Sequence, residues 1–176
     1  MKISLLLALL LGFLAFAQAG PEHIRAKFTC TKEKEREEMT DDKLGEGKKF
    51  NTDYIYKLEI KNDGSDPVEN LEAVIAVVGE PYDWQRNTPL TVVKVLKKDK
   101  IRLEGYATQT IEFEPVTFVR SLSKKGTTSW KSGYEYSGHL ARVIHMDQTL
   151  AEDAKGGKDV KDAIAAHKQA PDKGKK

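Results

Sequence analysis

Cysteine is nearly absent from this chain. Its 176 residues include one, Cys30, so no internal disulfide can form and burial alone must hold the fold. Charge of one sign is absent as well: Lys and Arg total 29 against 27 Asp and Glu, a formal net charge of +2. That balance argues against nucleic acid as a partner. Beyond the N-terminus no apolar run is long enough to cross a bilayer, so no transmembrane span is expected in the mature chain. Gly-x-Ser-x-Gly, His-Glu-x-x-His, Cys-x-x-Cys and phosphate-loop motifs are all missing, and no cofactor or metal is expected.

What the chain does have begins at its first residue. Met1 and Lys2 precede an apolar run from Ile3 to Ala17, broken by Ser4 and Gly12, and Ala17-Gln18-Ala19 stands before Gly20. This is the pattern of a secretory signal peptide cleaved after Ala19, and it predicts a secreted or periplasmic protein. Cys30 lacks the small-residue box of a lipoprotein, so no lipid anchor is expected. The organisation that follows is a signal peptide over 1–19, one domain over 20–147 and a flexible Lys/Ala-rich tail over 148–176.

The domain reads as alternating strands. Ile24, Ala26, Phe28 and Cys30 share one face of a first strand, which makes Cys30 a small residue on the buried side. Tyr54, Tyr56, Leu58 and Ile60 line one face of the clearest strand, with Lys57, Glu59 and Lys61 on the other. Leu71 to Val78 is apolar on both faces and belongs in the middle of a sheet or under a covering segment. Leu90 to Leu96, Ile101 to Leu103, Thr110 to Phe118 and Tyr134 to Met146 complete the series, with Lys97 to Lys100 as a turn and Ser121 to Ser132 as a polar loop. About seven strands with long turns predict an all-β fold, a single immunoglobulin-like antiparallel sandwich. In the tail, Val160 and Ile164 stand one helical turn apart and allow a short helix to His167.

The stretch from Tyr54 to Ser65, with Asn62-Asp63-Gly64-Ser65 at its end and Val68-Glu69-Asn70-Leu71 after it, resembles a hairpin of bacterial immunoglobulin-like modules of the cell-adhesion-related (CARDB-like) type. Leu103 to Phe113 is similar to their following turn and strand. The resemblance covers about half of the mature chain. It implies a β-sandwich and brings no catalytic residues with it.

The strongest recognition chemistry lies in Pro81 to Asn87, where Tyr82, Trp84 and Arg86 sit together; Trp130 offers a second aromatic patch with Tyr134 and Tyr136. Large rigid rings beside guanidinium and amide groups suit a glycan or an envelope protein. The competing reading folds Trp84 and Trp130 back over the ends of the sandwich. Asn62, Asp63 and Asp66 read as a turn rather than a calcium loop. His139 and His145, on one strand face but too far apart to share a metal, read as two solvent-facing histidines. The expected function is therefore a non-catalytic binding or structural module. The alternative is a secreted hydrolase with loop-borne residues, for which Arg86, Glu135 and His139 are the candidates. Nothing in the sequence fixes an oligomeric state.

Overall fold

The computed structural model describes residues 23–42, 45–83 and 88–169. The expected signal peptide, the tail beyond Gln169, and Trp84 and Arg86 of the expected recognition loop lie outside the described residues. Among the described residues nine strands are followed by one helix: β1 (Ile24–Lys32), β2 (Arg36–Asp42), β3 (Gly45–Asn62), β4 (Val68–Pro81), β5 (Thr91–Leu103), β6 (Thr108–Glu112), β7 (Val116–Lys125), β8 (Thr128–His145), β9 (Gln148–Lys155) and α1 (Gly157–Gln169).

Nine strands occupy seven positions. β1 and β2 are one long strand against β3, with the pairing register slipping by one residue across Glu33–Glu35. β6 and β7 likewise run along the other edge of β3, broken where Pro115 has no N–H to give to a ladder. One layer is thus β1/β2, β3 and β6/β7; the other is β9, β8, β4 and β5. All pairings are antiparallel. First, second and fifth strands facing seventh, sixth, third and fourth is an immunoglobulin-like arrangement.

β8 belongs to both layers. Its first part, up to Gly133, pairs with β7; from Tyr134 onward it pairs with β4, and further along with β9 as well. The crossing point needs glycine. Gly133 has φ +103°, and a Cβ there would come within 2.0 Å of the Val119 carbonyl oxygen. Before the crossing, β2, the first half of β3, the end of β7 and the start of β8 form a four-stranded arm that extends beyond the sandwich.

The core lies between the layers, and its side chains follow the two-residue rhythm. Tyr56, Leu58 and Ile60 of β3 meet Leu71, Ala73, Ile75 and Val77 of β4 and Ala141 and Val143 of β8. The outer face of β4 and β8 carries a second cluster of Ala76, Val78 and Leu140, covered by Val160 and Ile164 of α1. The strand that reads apolar on both faces is therefore buried on both, and the covering segment is a helix.

Three expectations need correction. Ser121 to Ser132 is a hairpin between β7 and β8, not a loop, because its backbone is paired from Arg120–Gly133 to Lys125–Thr128 with Gly126 in the turn. The basic turn at Lys97–Lys100 lies inside β5, where the register shifts and Lys100 takes φ +54°. Residues 148–169 are not a loose tail: they form β9 and α1, since the apolar outer face of β4 and β8 is already in place to receive Val160 and Ile164.

Candidate functional site

Where β8 crosses between layers, the inward faces of β3, β7 and β8 bound an open pocket of about 240 Å³. On β7 the inward series is Val116, Phe118 and then Arg120, so a guanidinium takes the place of the next apolar side chain. Arg120 donates to Glu35 Oε1 and Oε2 at 3.0 and 2.9 Å and to Glu135 Oε1 at 2.6 Å. Thr52 also donates to Glu35, at 3.1 Å. The guanidinium lies 4.8 Å from the Phe50 ring centroid and 5.7 Å from that of Tyr82. Partial burial works against its charge, but the hydrogen bonds to Glu135 and Glu35 outweigh it and hold Arg120 above its ordinary value.

The apolar wall of the pocket is aromatic. Tyr54 and Tyr136 stack with centroids 4.3 Å apart, and Phe118 stands edge-on to both at 5.4 and 5.7 Å. Tyr134, exposed, and Lys32 complete the rim.

Tyr136 also opens onto a partly buried polar chain. Its hydroxyl lies 2.7 Å from His139 Nδ1, and His139 Nε2 lies 3.3 Å from Asp153 Oδ2. The Cys30 thiol donates to the same hydroxyl across 3.9 Å. Tyr136 and His139 both reach inward, although three residues apart, because Ser137 bulges out of the β4–β8 ladder. Desolvation lowers the His139 pKa, and its Asp153 partner only partly offsets this. Tyr56 and Tyr136 are pushed up, first by burial and then by the neighbouring Cys30, so both hydroxyls stay protonated.

Of the expected site residues the structure describes Tyr82 and Trp130, and it does not bring these two together. Tyr82 is half-buried at the arm, with its backbone N–H donating to the Gly133 carbonyl at 2.8 Å and Lys131 Nζ 5.0 Å from its ring. Trp130 neighbours Lys131 on β8, and alternation places it on the opposite face from Tyr82. It is 37 % exposed in the row Thr40–Gly47–Ser123–Trp130 and does not fold over an end of the sandwich. His139, expected at the surface, is 3 % exposed, because the odd-numbered residues after the bulge share the face of Ala141 and Val143. Of the residues considered for a hydrolase, Glu135 is tied to Arg120 and His139 is held between Tyr136 and Asp153. Arg120 and Glu35 were readable in part, as an arginine continuing an inward series and an acid at a strand break. Their meeting was not, since they lie 85 residues apart.

No family model matches the chain, and no curated protein matches it. Two solved structures show slight likeness. An X-ray structure of a Northeast Structural Genomics Consortium target aligns at 11% identity over 66% of this chain and 85% of its own, with a TM-score of 0.29. A crystal structure from Akkermansia muciniphila aligns at 14% identity over 78% of this chain and 75% of its own, with a TM-score of 0.25. At these scores neither carries fold or function across.

Proposed function

We propose that this protein is an exported, non-catalytic binding module that takes a hydroxyl-rich ligand, an envelope glycan, in the pocket around Arg120. One observation carries the reading: an arginine fixed by two carboxylates and flanked by aromatic faces lines an open pocket. Sugar hydroxyls both donate and accept. Glu35 and Glu135 supply acceptors, Arg120 supplies donors, and Tyr54, Tyr136 and Tyr134 supply apolar faces for the C–H side of a pyranose ring. The bonds that hold Arg120 in place reduce the entropy cost of binding. The N-terminal signal pattern and the resemblance to adhesion modules favour the same reading.

The test is calorimetric titration of the mature protein with a panel of soluble envelope oligosaccharides. A saturable ligand should emerge, and Tyr134→Ala should weaken it about tenfold, corresponding to about 1.4 kcal/mol, without altering the melting curve, since Tyr134 is exposed. Arg120→Lys should weaken it further, because an ammonium cannot span both carboxylates. Binding that survives both substitutions would place recognition elsewhere. Retention of envelope proteins but no saccharide would overturn the glycan reading.

A further inference from the structure

On the side of the sandwich closed by β1 and β9, groups from four strands converge. Cys30 comes from β1, Tyr56 from β3, Tyr136 and His139 from β8, and Asp153 from β9. Chemistry fixes the direction of each hydrogen bond. The exposed Asp153 carboxylate can only accept, so His139 carries its proton on Nε2 and donates across 3.3 Å. Nδ1 then has a free lone pair and accepts from the Tyr136 hydroxyl at 2.7 Å. The Tyr136 oxygen accepts in turn from the Cys30 thiol. The result is a proton path from a half-buried sulfur to a neutral imidazole.

Tyr56 is the second, independent sign. It is the direct cross-strand partner of Cys30, is 1 % exposed, and packs edge-on against His139 at 5.6 Å. Its hydroxyl lies against the Cys30 sulfur, a weak acceptor, and, among the described residues, is the buried side-chain oxygen that makes no hydrogen bond of good geometry. A buried group left this way is destabilising, and phenylalanine would pack the same space without that cost. A donor held only loosely by the sulfur suits an oxygen that the sulfur acquires.

We propose that Cys30 is a peroxide-reactive thiol, activated through Tyr136 by His139, with the Tyr56 hydroxyl binding the oxygen added to sulfur. The thiol proton moves to the Tyr136 oxygen as the Tyr136 proton moves to His139 Nδ1. The thiolate attacks one oxygen of hydrogen peroxide. The S–O bond forms, the O–O bond breaks, and the departing hydroxide recovers the proton from His139 through Tyr136. The thiol and peroxide thus give a sulfenic acid and water: sulfur loses two electrons and the peroxide gains them. Cys30 lies on an edge strand and keeps part of its surface open, and the convergence is tight, so the oxidant is a small one.

An ordinary thiol with a pKa of about 8.5 is only a few per cent ionised at neutral pH, so an effective relay can speed its reaction by roughly tenfold. The experiment treats the protein with hydrogen peroxide, traps sulfenic acid with dimedone and follows Cys30 by mass spectrometry. Native Cys30 should react about tenfold faster than Cys30 of the urea-unfolded chain. Tyr136→Phe and Tyr56→Phe, which preserve the rings, should each slow it toward the unfolded rate while circular dichroism stays unchanged. The wild-type rate should rise with pH as His139 loses its second proton. The groups facing that histidine are Tyr136 on its own strand, Tyr56 on β3, and Asp153 and Lys155 on β9. This inflection should vanish in Tyr136→Phe, where the path is cut. A native rate no faster than the unfolded one, or an unchanged rate and inflection in Tyr136→Phe, would overturn the proposal.

Discussion

At the scale of single residues, Asn62 shows how one side chain can fasten two distant turns. It ends β3, is almost fully buried, and uses both ends of its amide. Oδ1 accepts from the Gly64 N–H at 2.9 Å, while Nδ2 donates to the Asp66 carbonyl at 2.8 Å and the Glu104 carbonyl at 3.2 Å. Its backbone N–H donates to Ala107 at 2.9 Å. The turn after β3 and the turn before β6 are thus joined, and Gly105 permits the approach: a Cβ there would stand 2.0 Å from the Ser65 carbonyl oxygen. Asn62→Ala should cost about 2–3 kcal/mol, since the buried groups it served lose their partners. Urea unfolding should show a lower midpoint with an unchanged slope. The turn itself was legible from Asn62-Asp63-Gly64-Ser65-Asp66-Pro67. The second attachment was not, because nothing local in the sequence announces a carbonyl 42 residues away.

At the scale of elements, strands with one apolar and one charged face were read correctly. The face of Tyr54, Tyr56, Leu58 and Ile60 is the one the structure turns inward. The misreadings fall where period two is broken. The β8 bulge at Ser137 changes which residues face inward, so the chain hides Tyr136 before it and His139 after it. A uniform alternation cannot place both inside. The helix around Val160 and Ile164 was legible, but its docking was not: α1 has few apolar residues, which suggests poor packing if it is considered alone. Its partner face, however, is preformed by Ala76, Val78 and Leu140. Gly138 lets it approach, since a Cβ there would meet the Lys155 carbonyl oxygen at 2.0 Å and Val160 Cγ2 at 2.8 Å. Two buried anchors therefore suffice. Ile164→Ala should cost about 2–3 kcal/mol by thermal or urea unfolding. Lys161→Ala, which removes an exposed ion pair with Glu152, should cost no more than about 0.5 kcal/mol. Equal effects would mean that α1 is not anchored through its apolar face.

At the scale of the whole molecule, the shared strand decides how stability is distributed. β8 carries ladder bonds in both layers, so neither layer can be lost without breaking the other's pairing. The described residues should unfold in one transition, as a single domain of this size usually does. The arm is different. Its four strands continue β3, β7 and β8 past the sandwich, but there the side chains are mostly exposed or half-buried: Met39 and Trp130 are open to solvent, and ion pairs such as Lys48–Glu37 and Lys49–Glu38 line its surface. Exposed pairs of this kind contribute little, and backbone ladders without a dry face open at low free energy. Native-state hydrogen exchange should separate the two regions. Amides of Glu37–Asp42, Gly45–Asn51 and Arg120–Ser132 should exchange through local opening, with a protection that responds only weakly to urea. Those of Leu71–Val78 and His139–Val143, buried between the second layer's partners and α1, should exchange only through global unfolding and show the full urea dependence. Arg120 and Glu35 lie at the boundary, so ligand occupancy of their pocket should raise arm protection by restraining strands that otherwise fray. If arm and core amides shared one urea-dependent free energy, the arm would be an integral part of the cooperative unit, and the exposed ladders would be held by something other than the ion pairs on their surface.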